Sequence, residues 1–264
     1  MNNISSNRRI GVFDSGVGGL SVWKEIVELL PNESIIYYAD SGNCPYGTKS
    51  REEIIKLSEK IVEFLIKKSC KLIVVACNTA TAAAIDYLRL NYSIPFVGME
   101  PAIKPAAIQS KTGNIGVLAT ENTFKGRLFN ETSRKYANDK NLYIQIGYGL
   151  VDIVENGKIN TKDSYSILEK YIQPMLDKNV DQIVLGCTHY PFLMEQIKEI
   201  VGTKSGIINP APAVARQVEN ILDKQQIKNK LKDQENVFYS SGRTEVLKDL
   251  LAKMNIVDPE IIKI

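Results

Sequence analysis

Short apolar runs alternate along the chain with longer segments whose apolar residues recur at helical spacing. The runs are rich in β-branched residues and predict buried strands at 9–13, 34–39, 71–76 and 95–98. The segments between them predict helices at 20–30, from the Ser50–Glu53 capping pattern onward, and at 79–90. Strands that alternate with helices favour a parallel sheet covered by helices on both faces, so the pattern predicts an α/β fold.

The same alternation starts again further along the chain. It predicts strands at 114–119, 142–146, 182–185, 206–208 and 237–240. The predicted helices include one that starts near 120–123 and runs to Tyr136, and others at 161–177, 192–201 and 244–254. Proline-containing stretches at 99–105 and 209–212 interrupt the pattern, and we place crossings between domains there. We therefore predict two similar α/β domains, 1–98 plus 211–264 and 99–210, with mostly parallel sheets related by pseudo-two-fold symmetry and an active site in the cleft between them.

Two short stretches, 71–79 and 181–189, share one pattern of residues. In each, an apolar run ends on a small residue, and a cysteine and two hydrogen-bonding side chains follow. Cys77 and Cys187 are 110 residues apart (187 − 77), which suits one small α/β domain present twice. Ligands of open α/β sheets bind outside the carboxyl ends of the strands, where Asp14 and Ser15 also fall. The repeat predicts that both cysteines face one cleft.

Composition and charge exclude several classes of protein. The 33 basic and 30 acidic residues leave a net charge of +3, too near balance to suggest a nucleic-acid partner. No segment approaches the roughly 18 apolar residues of a membrane span, and the polar stretch 1–9 does not resemble a secretory signal. We therefore expect a cytoplasmic protein. Its four cysteines form no CxxC pair, so we expect free thiols and no metal site.

A glycine-rich turn follows the first predicted strand, at 14–19. Glycines there let the backbone turn sharply and approach a ligand closely. The turn matches neither GxGxxG nor GxxxxGK[ST], so nucleotide binding has little support. The functional feature of this stretch is the Asp14-Ser15 pair.

A cysteine that closes a strand is often simply buried, but two in matched positions favour chemistry. His189, the single histidine of the chain, lies next to Cys187 and is a candidate proton partner, and Asp14 could serve Cys77 in the same way. Two opposed thiols suit removal of a proton from one face of a carbon and its return to the other, which is racemisation or epimerisation. A hydrolase with one nucleophile would leave the second cysteine unexplained.

Four motifs carry a resemblance to a known family. They are DSGVGGL at 14–20, CPYG at 44–47, CNTA at 77–80 and LGCTHYP at 185–191. Together they resemble the cofactor-independent glutamate racemases of the aspartate/glutamate racemase superfamily. The motifs occur in the same order and span most of the chain, and the last is the most specific of them.

The resemblance implies that Cys77 and Cys187 are the two bases, one for each enantiomer, assisted by Asp14, His189 and Glu155. It implies that glutamate is the substrate and that no cofactor takes part. It also implies that the product D-glutamate is supplied for peptidoglycan synthesis, and that a homodimer is one option for the assembly of the protein. The side chains that it places on the substrate are Asp14, Ser15, Tyr46, Gly47, Asn78, Thr79, Thr188 and His189. The chain departs from the family at 146–148, where Ile-Gly-Tyr replaces the usual Ala-Cys-Pro.

Two alternatives stay open at this point. An aspartate or hydantoin racemase of the same superfamily would differ in the pocket that reads the substrate side chain. A non-catalytic amino-acid-binding protein could use the same two-lobed cleft, and it would bind glutamate without exchanging its α-proton. Such a binder has no need of two thiols at strand ends.

Overall fold

The structure is a computed structural model that describes residues 8–231 and 234–264. Its described strands form two sheets, and every strand pair in both sheets is parallel. The strands are β1 (Ile10–Asp14), β2 (Ile35–Ala39), β3 (Leu72–Val75), β4 (Phe96–Gly98), β5 (Asn114–Ala119), β6 (Asn141–Ile146), β7 (Gln182–Gly186), β8 (Gly206–Ile208), β9 (Val237–Ser240) and β10 (Glu260–Lys263). The predicted α/β fold with two parallel sheets is confirmed.

Helices cover both faces of each sheet. They are α1 (Leu20–Leu29), α2 (Arg51–Lys67), α3 (Asn78–Asn91), α4 (Ile103–Gln109), α5 (Glu121–Lys125), α6 (Arg127–Tyr136), α7 (Leu150–Glu155), α8 (Lys162–Leu176), α9 (Met194–Val201), α10 (Ala211–Lys224) and α11 (Glu245–Lys253). Short 3-10 turns occupy Ser41–Asn43, Tyr46–Thr48 and Tyr190–Leu193.

Side chains on successive strand residues point to opposite faces and so enter different cores. Val12 of β1 packs among residues of α1, α10 and α11, whereas Phe13 packs among residues of α2 and α3. In the second sheet, Ile183 of β7 joins the residues of α8 and α9, and Val184 joins those of α4 and α6. Because these strands are buried on both faces, their residues are apolar throughout and do not alternate between apolar and polar.

The two sheets repeat one strand order. The first sheet runs β10-β9-β2-β1-β3-β4 and the second runs β6-β5-β7-β8. Within each, the first four strands of the series stand in the order second, first, third, fourth. Cys77 follows the third strand of the first series and Cys187 follows the third strand of the second, so the sequence repeat corresponds to a structural one.

Several elements differ from the sequence prediction. Four residues at the carboxyl end of the chain form β10, which pairs with β9 and extends the first sheet, although no strand is predicted there. The proline-rich crossing at 99–105 leads directly into α4, whose Pro105 lies in the first helical turn, where proline is tolerated. The predicted helix up to Tyr136 is two helices, because Gly126 has extended backbone between α5 and α6.

Some of the sequence expectations concern residues that the structure does not describe. Residues 1–7 of the amino-terminal stretch, on which the expectation about a secretory signal rests, lie outside the described ranges. Within residues 8–231 and 234–264, none of the helices has the length and apolar character needed to cross a bilayer. The domain limits 1–98 plus 211–264 and 99–210 stay a prediction, which the strand membership of the two sheets supports.

Candidate active site

A narrow, nearly closed cavity of about 10 Å³ lies where the carboxyl ends of β3 and β7 meet. It has room for about one water molecule, so a larger ligand enters only when the walls of the cavity separate. It is lined by Ser15, Pro45, Tyr46, Gly47, Cys77, Asn78, Thr79, Thr120, Val151, Cys187, Thr188 and His189. The structure therefore brings together at one cavity both cysteines and seven further residues that the sequence analysis names.

Cys77 enters the cavity from the first sheet, as the residue before α3. Its Sγ accepts a hydrogen bond from the backbone N–H of Ala80 at 3.4 Å and lies 3.6 Å from Oγ of Ser15. Burial and, to a smaller degree, the carboxylate of Asp14 raise the pKa of the Cys77 thiol to about 12. Cys77 therefore keeps its proton at neutral pH and can act as an acid.

Cys187 enters the cavity from the second sheet, with the imidazole of His189 beside it. Nδ1 of His189 lies 3.7 Å from Sγ of Cys187, and Nε2 lies 2.6 Å from Oε1 of Glu155. Burial alone would lower the pKa of His189, but its contacts with Cys187, Cys44 and Glu155 raise the pKa well above the ordinary value. An imidazolium at this place can donate a hydrogen bond to a thiolate at Cys187. The two thiols therefore have unequal proton partners.

Asp14 lies behind the cavity wall and is fully buried. One carboxylate oxygen accepts hydrogen bonds from Gly16 N at 2.7 Å and Ser15 Oγ at 3.3 Å, and the other accepts from Thr188 Oγ1 at 2.8 Å. Burial raises the pKa of Asp14 to about 6, against the opposing effect of His189. Asp14 is predicted to contact the substrate, but here it contacts two lining residues and does not line the cavity itself.

The carboxylate of Glu155, at the end of α7, also lies outside the cavity and contacts one of its lining residues, His189. Besides its contact with His189, Oε1 accepts a hydrogen bond from Val17 N at 2.7 Å. Gly16 and Gly18 lack the Cβ atoms that would collide with the Glu155 carboxylate and the His189 ring. The glycines of the turn at 14–19 therefore let the backbone approach this pair closely.

The departure at 146–148 does not move Glu155 away from the site. Gly147 follows β6, and a Cβ there would collide with the hydroxyl of Tyr190. Leu150 begins α7 three residues later, and this helix ends at Glu155, beside His189. The structure thus brings Glu155 to the predicted neighbourhood in spite of the altered sequence.

The cavity offers hydrogen-bonding groups suited to a carboxylate and an ammonium. Asn78 and Thr79 form the first turn of the 14-residue helix α3, whose free N–H groups favour an anion. Oδ1 of Asn78 is buried and has no hydrogen-bond partner among the described residues. A buried oxygen of this kind is costly unless a ligand donates to it, so the cavity is built to receive a polar ligand.

Tyr46 is held in place rather than free to rotate. Its hydroxyl donates to Oδ2 of Asp40 at 2.5 Å, and that carboxylate also accepts from Asn43 and from Ser241 Oγ at 2.6 Å. The burial of Tyr46 and the nearby Asp40 charge raise the pKa of its phenol, which keeps its proton. Asp40 is therefore a positioning residue that the sequence analysis does not identify.

Thr120 is a lining residue that the sequence analysis also misses. Its Oγ1 lies 2.8 Å from Oγ1 of Thr79, which joins the loop after β5 to the start of α3. A signal for it exists in the sequence, since Thr120 follows β5 as Ser15 follows β1. The structural repeat, applied position by position, would have identified it.

Comparison with known proteins agrees with this geometry. The model of a family described as Asp/Glu/Hydantoin racemase matches residues 10–218. The glutamate racemase of Herpetosiphon aurantiacus is 50% identical over 213 residues, 81% of this chain and 84% of that protein.

Two solved structures are similar over nearly the whole chain. A glutamate racemase isoform of Bacillus anthracis has a TM-score of 0.89 at 32% identity and covers 98% of each chain. The Escherichia coli glutamate racemase in complex with L-glutamate and the activator UDP-MurNAc-ala has a TM-score of 0.85 at 32% identity and covers 97% of each chain.

Proposed function

The chain belongs to the Asp/Glu/Hydantoin racemase family, and we propose that it interconverts L-glutamate and D-glutamate by proton transfer between two thiols. One observation carries the proposal: Cys77 and Cys187 follow equivalent strands of two sheets and line the same cavity. Proton removal and return on opposite faces of a carbon needs one such group on each face.

The α-carboxylate of the substrate binds at the start of α3, near Asn78 and Thr79, and the hydroxyl of Thr188 completes this set. Asp14 holds the Thr188 hydroxyl in place from behind at 2.8 Å. The first turn of α3 supplies its unpaired backbone N–H groups. This arrangement fixes the α-carbon between the two cysteines.

In one direction, the thiolate of Cys187 takes the α-proton as the C–H bond breaks and an S–H bond forms. The carbanion then takes the proton of Cys77 on its other face, which leaves Cys77 as the thiolate. The opposite enantiomer is converted by the reverse sequence. The proton held by His189 stabilises the thiolate of Cys187, and the hydroxyl of Ser15 lies 3.6 Å from Cys77 to do the same on the other side.

The α-proton of an amino acid is far less acidic than a thiol, so the developing carbanion needs stabilisation. Preorganised hydrogen bonds in a cavity closed to water supply it, because they need no reorganisation during the reaction. Cys77 and Cys187 are 4% and 7% exposed, which means that substrate entry requires the two halves of the cleft to separate. Opening and closure are therefore part of the cycle.

The site residues supply every proton transfer in this scheme, so no cofactor is required. Dialysis against a chelator should leave the rate undiminished, and the purified protein should show no absorbance from pyridoxal phosphate. Loss of activity on dialysis would argue for a metal-dependent route instead.

The choice of glutamate over aspartate rests on the relatives, several of which are glutamate racemases at 42–50% identity. Exchange of the α-proton in deuterated water tests it directly. We expect exchange on both enantiomers of glutamate and much slower exchange on aspartate. Faster exchange on aspartate would assign the chain to aspartate, and binding of glutamate without exchange would identify a binding protein.

Racemisation of glutamate would supply D-glutamate for peptidoglycan. We propose the cytoplasm as its location, because the four cysteines are all free thiols in the structure and that compartment keeps thiols reduced. A homodimer is the assembly that we propose for solution, and sedimentation analysis of the full chain would test it.

A further inference from the structure

Three side chains of different chemistry meet behind the cavity: the thiol of Cys44, the carboxylate of Glu155 and the imidazole of His189. One ligand atom from each lies within 4.8 Å of the others. Cys44 follows the 3-10 turn after β2, Glu155 ends α7, and His189 belongs to the loop after β7. Thiolate, carboxylate and imidazole are the three ligand types that Zn²⁺ takes in proteins.

The cluster can be reached without passing through the substrate cavity. Cys44 and Glu155 line a second cavity, here called the outer cavity, of about 400 Å³. Asp152 and Glu245 also line it and add two carboxylates, which attract a cation, beside the one arginine, Arg243. His189 lines the substrate cavity, so the three ligand groups lie in the partition between the two cavities.

We propose that Cys44, Glu155 and His189 form an inhibitory binding site for Zn²⁺ or a similar thiophilic divalent cation. Binding releases the thiol proton of Cys44 to solvent and places one ring nitrogen of His189 on the metal. That nitrogen then no longer exchanges a proton, and the contact of 2.6 Å with Glu155 is broken or rearranged. The inhibition rests on the proposed racemase function, whereas the binding does not.

The sequence analysis expects no metal site because the chain has no CxxC pair. The three ligands are separated by 111 (155 − 44) and 34 (189 − 155) residues, so no spacing rule could indicate them. Folding alone brings them together. Cys44 lies outside the group of residues that line the substrate cavity, but it contacts His189, so inhibition has to be measured relative to each variant's own rate without metal.

Binding is tested first, on the intact protein. Calorimetric titration with Zn²⁺ should give one ion per chain, and Co²⁺ should produce a thiolate-to-cobalt charge-transfer band. Cys44→Ser should lose the band and bind at least about tenfold more weakly, since even outer-shell changes at metal sites cost 10- to 100-fold. Cys70→Ala, which removes a buried thiol away from the cluster, should keep both signals.

Inhibition is tested second. Zn²⁺ should lower kcat at saturating glutamate in the wild type and in Cys70→Ala, whereas Cys44→Ser should escape inhibition, each rate being compared with that of the same variant without metal. Equal inhibition of Cys44→Ser, or inhibition that excess glutamate relieves, would place the ion on Cys77 and Cys187 in the substrate cavity and overturn the proposal. Cys44→Ala serves as the second variant if the serine protein fails to fold. Cobalt binding in a chain without racemase activity would contradict only the proposed function.

Discussion

Oε1 of Glu155 lies 2.6 Å from Nε2 of His189 and also accepts a hydrogen bond from the N–H of Val17. One carboxylate oxygen thus fixes the imidazole ring and the glycine-rich turn together. The hydrogen bond to His189, together with the contacts from Cys187 and Cys44, also raises the pKa of His189. The proton partner of Cys187 is therefore set by a residue that does not line the substrate cavity.

We expect Glu155→Gln to lower kcat/KM for glutamate by about 10²-fold, because an amide does not stabilise the imidazolium that serves Cys187. Since the two enantiomers have equal free energies, kcat/KM must fall equally in both directions. Glu155 serves Cys187 and not Cys77, so the two proton transfers should be affected unequally. This difference should be visible as a larger α-deuterium isotope effect for the enantiomer whose proton Cys187 removes.

Glu121→Gln is the matched control for this variant. Glu121 is a glutamate of α5 whose partners, Lys125 and Tyr148, lie outside the substrate cavity. The Glu121→Gln substitution should leave the rate of racemisation and the isotope effects unchanged. An unaltered rate in Glu155→Gln would show that the contact with His189 is structural only.

Cys77→Ser and Cys187→Ser should each remove most racemisation in both directions, by at least about 10²-fold, because a hydroxyl is a much weaker acid than a thiol. The measurement is the optical rotation of glutamate with time, started from each enantiomer. Cys70→Ala should retain the wild-type rate. Full activity in either serine variant would rule out the two-thiol scheme.

Asp14→Asn should stabilise the folded protein at neutral pH while it lowers the rate. The folded chain holds a proton on Asp14 up to about pH 6, whereas an ordinary aspartate loses it near 3.8, so the wild type loses stability as pH rises between those values. The difference corresponds to at most about 3 kcal/mol. An asparagine carries no charge to bury and avoids this loss.

Urea unfolding at pH 4 and pH 7.5 measures that effect. The stability advantage of Asp14→Asn should be small at pH 4 and should grow until about pH 6, above which it stays constant. Asp139→Asn, at an exposed position, should show no such growth. An advantage that is equal at both pH values would mean that the Asp14 charge is not what destabilises the folded state.

The sequence alone could predict the α/β fold and most of the cavity lining. Apolar runs bounded by small residues identify strands buried on both faces, and the polar residues after them must lie at the ligand-binding edge. This reasoning places Ser15, Asn78 and Thr188 correctly. The missed β10 is short and half-exposed, so its residues lack the apolar pattern of a central strand.

The interactions behind the cavity wall could not be predicted in the same way. Asp40 positions Tyr46 through a contact within one loop, whose course no apolar pattern predicts. Cys44 approaches His189 only because loops from distant parts of the chain meet. Asp14 ends β1 at the predicted edge of the sheet, yet its side chain turns toward Gly16 and Thr188 instead of the cavity. Side-chain direction in loops depends on tertiary contacts that no local periodicity encodes.

The repeated strand order has a consequence for how such a protein could arise. The series β1–β4 and β5–β8 stand in the same order, which is what tandem duplication and fusion of a shorter chain would yield, with β9 and β10 added to the first sheet. Each copy carries a single thiol at the end of its third strand, so neither half contains a complete catalytic pair. An ancestor of half this length would have needed to associate with its own copy before it could invert a stereocentre.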